Sequence, residues 1–149
     1  STVNSGNVYA EYYQSFELST SRGSATQDNL EQAYRDKNWK EVITIASKQE
    51  PKTNKTHFLA GMSAMELKEY STAIESFKQV IAANAKSGDN YFQDDAEYYL
   101  ALAYLANNDE ANALPLLKKN RNDKTHIYHP KAKELSGIDL EILDLKSDK

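Results

Sequence analysis

The chain has 149 residues, enough for one domain with a real core, and no cysteine, which excludes a disulfide framework and a thiolate metal site. A formal net charge of −4 and a pI near 5.4 argue against a nucleic-acid surface, which needs clustered cations facing phosphate. No apolar run approaches the roughly 18 residues of a membrane span.

Residues 1–7 are small and polar, without the basic and apolar regions of a signal peptide. The chain opens at Ser1 with no Met, so a removed signal or membrane anchor stays among the expectations and the compartment stays open. In chain order, Tyr9, Tyr12, Tyr13 and Phe16 fall at i, i+3, i+4 and i+7, which predicts a helix over residues 8–16 with four rings on one face. Residues 19–24 read as a linker, and Ser24 with Gln27 three positions on fits a capping box. The next helix carries Leu30, Ala33 and Tyr34 and ends near Asn38; another follows at once with Trp39, Val42, Ile43 and Ala46, closed by Pro51.

From Asn54 the pattern restarts. A helix runs to about Lys68, and a second carries Tyr70, Ala73, Ile74, Phe77, Val80 and Ile81 before a polar loop over residues 84–93. A third pair begins at Asp94 and Asp95, turns at residues 107–109 and runs to about Asn120, with Lys118, Lys119 and Arg121 favoured at its C-terminal end by the helix dipole. Pro115 should either bend that last helix or mark a later start. Pro130 opens a final helix whose stripe is Leu135, Ile138, Ile142 and Leu145. Paired short helices with tight turns predict an all-α array of antiparallel hairpins.

The chain also aligns with itself. A shift of 40 places Ala73-Ile74 on Ala113-Leu114 and Phe77 on Leu117; a shift of 31 places Trp39 on Tyr70 and Val42 on Ala73. With Leu100-Ala101, Tyr104, Asp109, Ala113 and Leu117 at its landmarks, the third pair resembles the tetratricopeptide repeat (TPR), whose period is 34 residues. Gly61, Ala73 and Phe77 match in the second pair, and the first is the most divergent. The run of eight residues from Tyr98 is also similar to bacterial TPR domains that follow a membrane anchor.

The resemblance implies a short right-handed TPR-like superhelix of about three pairs plus a C-terminal capping helix. It divides the chain into an N-terminal aromatic segment and linker (residues 1–23) and a helical-repeat domain (24–149). It further implies a protein-binding scaffold whose first helices line a concave groove for a partner protein or peptide. On that implication the groove carries Tyr34, Arg35, Phe58, Met62, Met65, Tyr98, Leu102 and Leu105, with Gln27, Glu31, Lys55, Glu66 and Asp95 among them. Burial of the same stripe between helices is the competing reading. Lysine, asparagine and arginine for a carboxylate clamp are missing, since Gln27 and Glu31 stand in the first pair.

No cofactor, metal or catalytic constellation emerges. His126 and His129 flank a loop without an adjacent carboxylate in sequence, His57 reads as a packed helix-face residue, and the aspartates of residues 89–95 lack a calcium loop's pattern. The alternative function is a self-associating or envelope-tethered assembly domain, a homo-oligomer; enzymatic activity ranks third. The aromatic segment is expected either to dock on the array, nearer Tyr34 or Met62 than Leu105, or to trail free.

Overall fold

The computed structural model describes residues 3–19, 28–135 and 137–148, with the side chain of Ile138 left aside. Among the described residues all regular structure is helical: α1 (Ser5–Tyr12), α2 (Asn29–Arg35), α3 (Trp39–Lys48), α4 (Asn54–Glu66), α5 (Tyr70–Ser87), α6 (Gln93–Ala106), α7 (Glu110–Asn122), α8 (His129–Ala132) and α9 (Gly137–Ser147). Each helix from α2 to α7 packs on its successor, α2 and α6 also touch α4, α9 packs on α7, and α1 returns to lie on α6. This is a TPR-like helical-repeat fold with three hairpins, α2/α3, α4/α5 and α6/α7.

The hairpin turns give the repeat its register. Lys37, Lys68 and Asn108 all adopt left-handed backbone, with φ of 57°, 60° and 57°. Their separations are the same 31 and 40 residues that align the sequence on itself. Each turn closes with one bond pattern: Asn38 N–H to Ala33 O, Glu69 N–H to Ala64 O and Asp109 N–H to Tyr104 O, at 2.8–2.9 Å. Such 6→1 bonds satisfy carbonyls that a helix end otherwise leaves orphaned.

Within hairpins, small residues set the spacing. Gly61, Ala73, Ala101 and Ala113 are fully buried or nearly so. A Cβ at Gly61 would lie 2.6 Å from Cε1 of Phe77, so α4 and α5 approach as closely as they do only because that position carries no side chain.

Several boundaries differ from expectation. Helix α1 spans Ser5–Tyr12, and Tyr13 turns extended at φ −76° and ψ 127°, so the predicted helix over 8–16 ends four residues early and starts earlier, on an Asn4 cap. Helix α5 continues through the expected loop to Ser87, because Asn84 is drawn inward, where its amide bonds to Tyr91 O and Gln93 Oε1. Pro115 sits inside α7, which starts at Glu110, so a later start is ruled out. The single final helix is instead two, α8 and α9, and the break resets the phase. Leu140 and Leu143 therefore fill the core while Leu145 is 68% exposed. Residues 20–24 of the linker and the Ser24–Gln27 box lie outside the described residues; α2 is capped by Asp28, which accepts from Leu30 N–H.

Gly61→Ala is expected to lower stability despite gaining about 1 kcal/mol of helix propensity. Overpacking against the buried Phe77 ring costs about 1–3 kcal/mol and outweighs it, and Ala113→Leu costs a similar amount for the same reason. Thermal melts followed by circular dichroism check both; unchanged midpoints would contradict the register.

Candidate functional site: an occupied concave face

The first helices of the three pairs, α2, α4 and α6, together meet the chain's own N-terminal segment, which lies across them. After α1, the chain turns extended at Tyr13 and residues 13–19 run without helix across all three helices. In an extended chain, carbonyls two residues apart point to the same side. Three tyrosine hydroxyls meet carbonyls two residues apart: Tyr98 donates to Tyr12 O, on the last residue of α1, at 2.9 Å, and in the run after it Tyr99 donates to Gln14 O at 2.7 Å and Tyr34 donates to Phe16 O. Arg35 adds a bond to Ser19 O at 3.3 Å, three residues on and out of step with that spacing.

Side chains of the segment add a second set of contacts. The hydroxyls of Tyr13 and Ser15 both donate to Oε1 of Glu66, at the end of α4. The Phe16 ring stands edge-on to Phe58, with centroids 4.8 Å apart, and Phe58 stacks on Phe92 at 5.0 Å. Tyr9 stacks on Tyr13 and meets Tyr70 edge-on. Burial raises the ionisation of Tyr34, Tyr98 and Tyr99 well above the ordinary phenol range, so all three remain neutral donors at any ordinary pH.

The residues read from sequence as groove-lining therefore divide. Tyr34, Arg35, Phe58 and Tyr98 meet the segment. Phe58 is nonetheless fully buried beneath it, and Tyr34 and Tyr98 are each 3% exposed. Met62, Met65, Leu102 and Leu105 are different: they are buried core residues, because consecutive hairpins close over them. For those four the packing reading replaces the expectation of an open surface. Glu31 pairs with Lys55 and Arg35 at one rim, and hydrogen bonding from Lys55 holds its carboxyl below the usual range. Gln27 lies outside the described residues. Sequence reasoning missed Tyr99, which adjoins Tyr98 and was legible only as part of an apolar run.

At the far end, α6 carries a polar cluster that corrects the expectation of no carboxylate near His126 and His129. Asp94 Oδ2 accepts from Ile127 N–H at 2.9 Å, and Asp95 Oδ1 accepts from the Tyr128 hydroxyl at 2.6 Å. The two aspartates thus pin this loop rather than cap α6. The Tyr128 ring in turn stacks on Tyr98, with centroids 4.2 Å apart.

Ligand atoms of Asp94, Glu97 and His126 lie within 4.8 Å of one another. A metal-binding imidazole needs a bare nitrogen turned to the ion. Here Nδ1 of His126 accepts from Tyr128 N–H at 3.2 Å, so the neutral ring keeps its proton on Nε2, which faces Asp94 Oδ1 at 3.7 Å. The Lys119 ammonium already lies 2.6 Å from Glu97 Oε2 as an ion pair. The donor set fits a charge clamp between α6 and the loop better than a cation site. His57, half-buried on α4, has its ionisation lowered by burial and then by Lys52.

Residues 56–87, covering all but the start of α4 and all of α5, match the family described as tetratricopeptide repeat. This stretch is similar to one tetratricopeptide unit, set within a TPR-like fold. Repeats of this family generally mediate protein–protein interaction, and the three matching turns extend the TPR architecture to the hairpins on either side. No curated protein and no solved structure matches the chain. No helix among the described residues is long and apolar enough to cross a membrane.

Two measurements follow from this geometry. Deleting residues 1–19 uncovers Phe58, Tyr98 and Tyr99, so the melting temperature should fall and a hydrophobic dye should bind where it did not. Asp95→Asn keeps an acceptor for Tyr128. Burial raises the Asp95 pKa, with the Tyr128 bond opposing. A raised carboxyl costs stability while it is charged, and that cost disappears as pH falls through the folded pKa towards the unfolded value. Wild type should therefore gain on Asp95→Asn as pH falls through that window, as read by denaturant melts at several pH values.

Proposed function

We propose that this TPR-like domain is a non-catalytic interaction scaffold whose concave face receives an extended segment of a partner protein. The observation that carries the reading is the row of tyrosine hydroxyls that meet the last carbonyl of α1 and then two alternate carbonyls of the non-helical segment that follows. Donors that address main-chain carbonyls do not depend on side-chain identity, and the Phe58/Phe92 surface adds one aromatic subsite beside them. On this reading Tyr34, Arg35, Phe58 and Tyr98 contact the partner, joined by Tyr99 and Glu66. Met62, Met65, Leu102 and Leu105 support the face from behind.

The test uses a photo-reactive side chain at one site at a time in the native cell. Placed at Arg35, on the rim of the face, it should cross-link a discrete partner. Placed at Glu75, exposed on the opposite helix layer, it should not. Equal capture from both positions, or from Glu75 alone, would move the interaction off the concave face.

A further inference from the structure

The occupant of the concave face and the face itself are buried to very different degrees. Phe58 is 0% exposed, while Tyr34, Tyr98 and Tyr99 are 3–4% exposed. Of residues 13–19, by contrast, not one is buried: Tyr13, Phe16 and Leu18 are half-buried, and Gln14, Ser15, Glu17 and Ser19 are exposed. The face thus depends on being covered, whereas the segment covering it gives up little of its own contact with water. Helix α1 differs, since Val8 and Tyr12 belong to the core.

The anchors of residues 13–19 are also of an exchangeable kind. They are hydroxyl bonds to carbonyls, two hydroxyls on the Glu66 carboxylate, and edge-on ring contacts of Tyr13 with Tyr99 and of Phe16 with Phe58 and Phe92, with Arg35 contributing the one cation. Segments with few buried contacts occupy the low end of a protein's local opening energies. Any other extended chain offers the same carbonyls.

We infer that residues 13–19 are a built-in, displaceable occupant of the groove, exchanged for a partner peptide of the same chemistry. This deepens the scaffold reading and rests on it. The fitting partner is an extended peptide with hydroxyl side chains two residues apart, as at Tyr13 and Ser15, followed directly by an aromatic residue, as at Phe16. Glu66 selects the hydroxyl pair, because it accepts from both. It also selects against a carboxylate or phosphate at either position, through like-charge repulsion.

Tethering gives the internal segment an effective concentration on the order of millimolar, so a free peptide competes poorly against it. Affinity for the free peptide is divided by the fraction of open groove, and weakening the tethered copy removes that penalty. The chain carries its own reporter. Trp39 is the sole tryptophan, and its ring meets Tyr34 edge-on, with centroids 5.2 Å apart, beside residues 15–18.

The experiment titrates a synthetic peptide of residues 12–19 into the full chain, reading Trp39 fluorescence and the anisotropy of labelled peptide. Ser15→Glu in the protein sets a second carboxylate against Glu66 and should free the groove. It is expected to bind the unmodified peptide at least about tenfold more tightly than wild type does. Peptide with Phe16→Ala should bind it at least about tenfold more weakly, matching loss of the ring contact. Phe16→Ala in the protein serves as the second opening variant should Ser15→Glu fail to fold.

Equal binding to wild type and to the opened variants would overturn the inference, as would no binding to either variant. A wild-type dimer that Ser15→Glu dissolves would overturn it too, assigning the groove to a second copy of the chain. Failure of the scaffold reading looks different: peptide exchange persists while the cross-linker at Arg35 captures nothing in the cell. Capture at Arg35 without peptide exchange keeps the scaffold and rejects the internal occupant.

Discussion

A helix that is apolar on every side has to be covered on every side, and α6 imposes that demand on the rest of the fold. Residues 96–103 are buried without a break. Helices α5 and α7 close two sides, α4 a third, and α1 lies along the remaining one. Where α6 does carry polar groups, they are engaged rather than exposed: Glu97 meets Lys119, and Asp94 and Asp95 hold the loop after α7. A regular stack of hairpins leaves one side of its first helices open. Here the segment before the first hairpin closes it.

That arrangement explains why the repeat was easy to read and its groove was not. Gly61, Ala73, Ala101 and Ala113 recur at fixed offsets because close helix packing tolerates only small residues there, and periodicity exposes such a constraint directly. The three left-handed turns are less visible, since Lys37 and Lys68 are not residues that announce positive φ. Their regularity is a property of backbone bonds and not of side chains. Phe58 and Tyr98 were legible as one stripe with Met62, Met65, Leu102 and Leu105, but periodicity reports only that a face is apolar. It does not say whether a helix, a tethered segment or a partner covers it.

The segment itself shows the same limit from the other side. Four aromatics at helical spacing describe Tyr9 to Phe16 well, and yet the helix stops at Tyr12. Hydroxyls from α2 and α6 offer the following carbonyls better partners than a short helix end does, so tertiary bonding decides the conformation. Tyr98, Tyr99 and Tyr34 come from positions far apart in the chain, and no local rule links them to residues 12–16. The cluster of Asp94, Glu97 and His126 was hidden for the same reason, the whole of α7 separating His126 from the two acids on α6.

Recognition through carbonyls leaves the amide hydrogens of a bound chain unused by the three tyrosines. A proline, which has no amide hydrogen and already prefers an extended backbone, therefore forfeits none of these bonds at any position along the groove. A β-sheet edge, which needs donors and acceptors alike, would reject it. On the proposed function the face would admit proline-containing segments from which strand-pairing receptors are barred, and its occupants would be free to drift in sequence at every position that faces water.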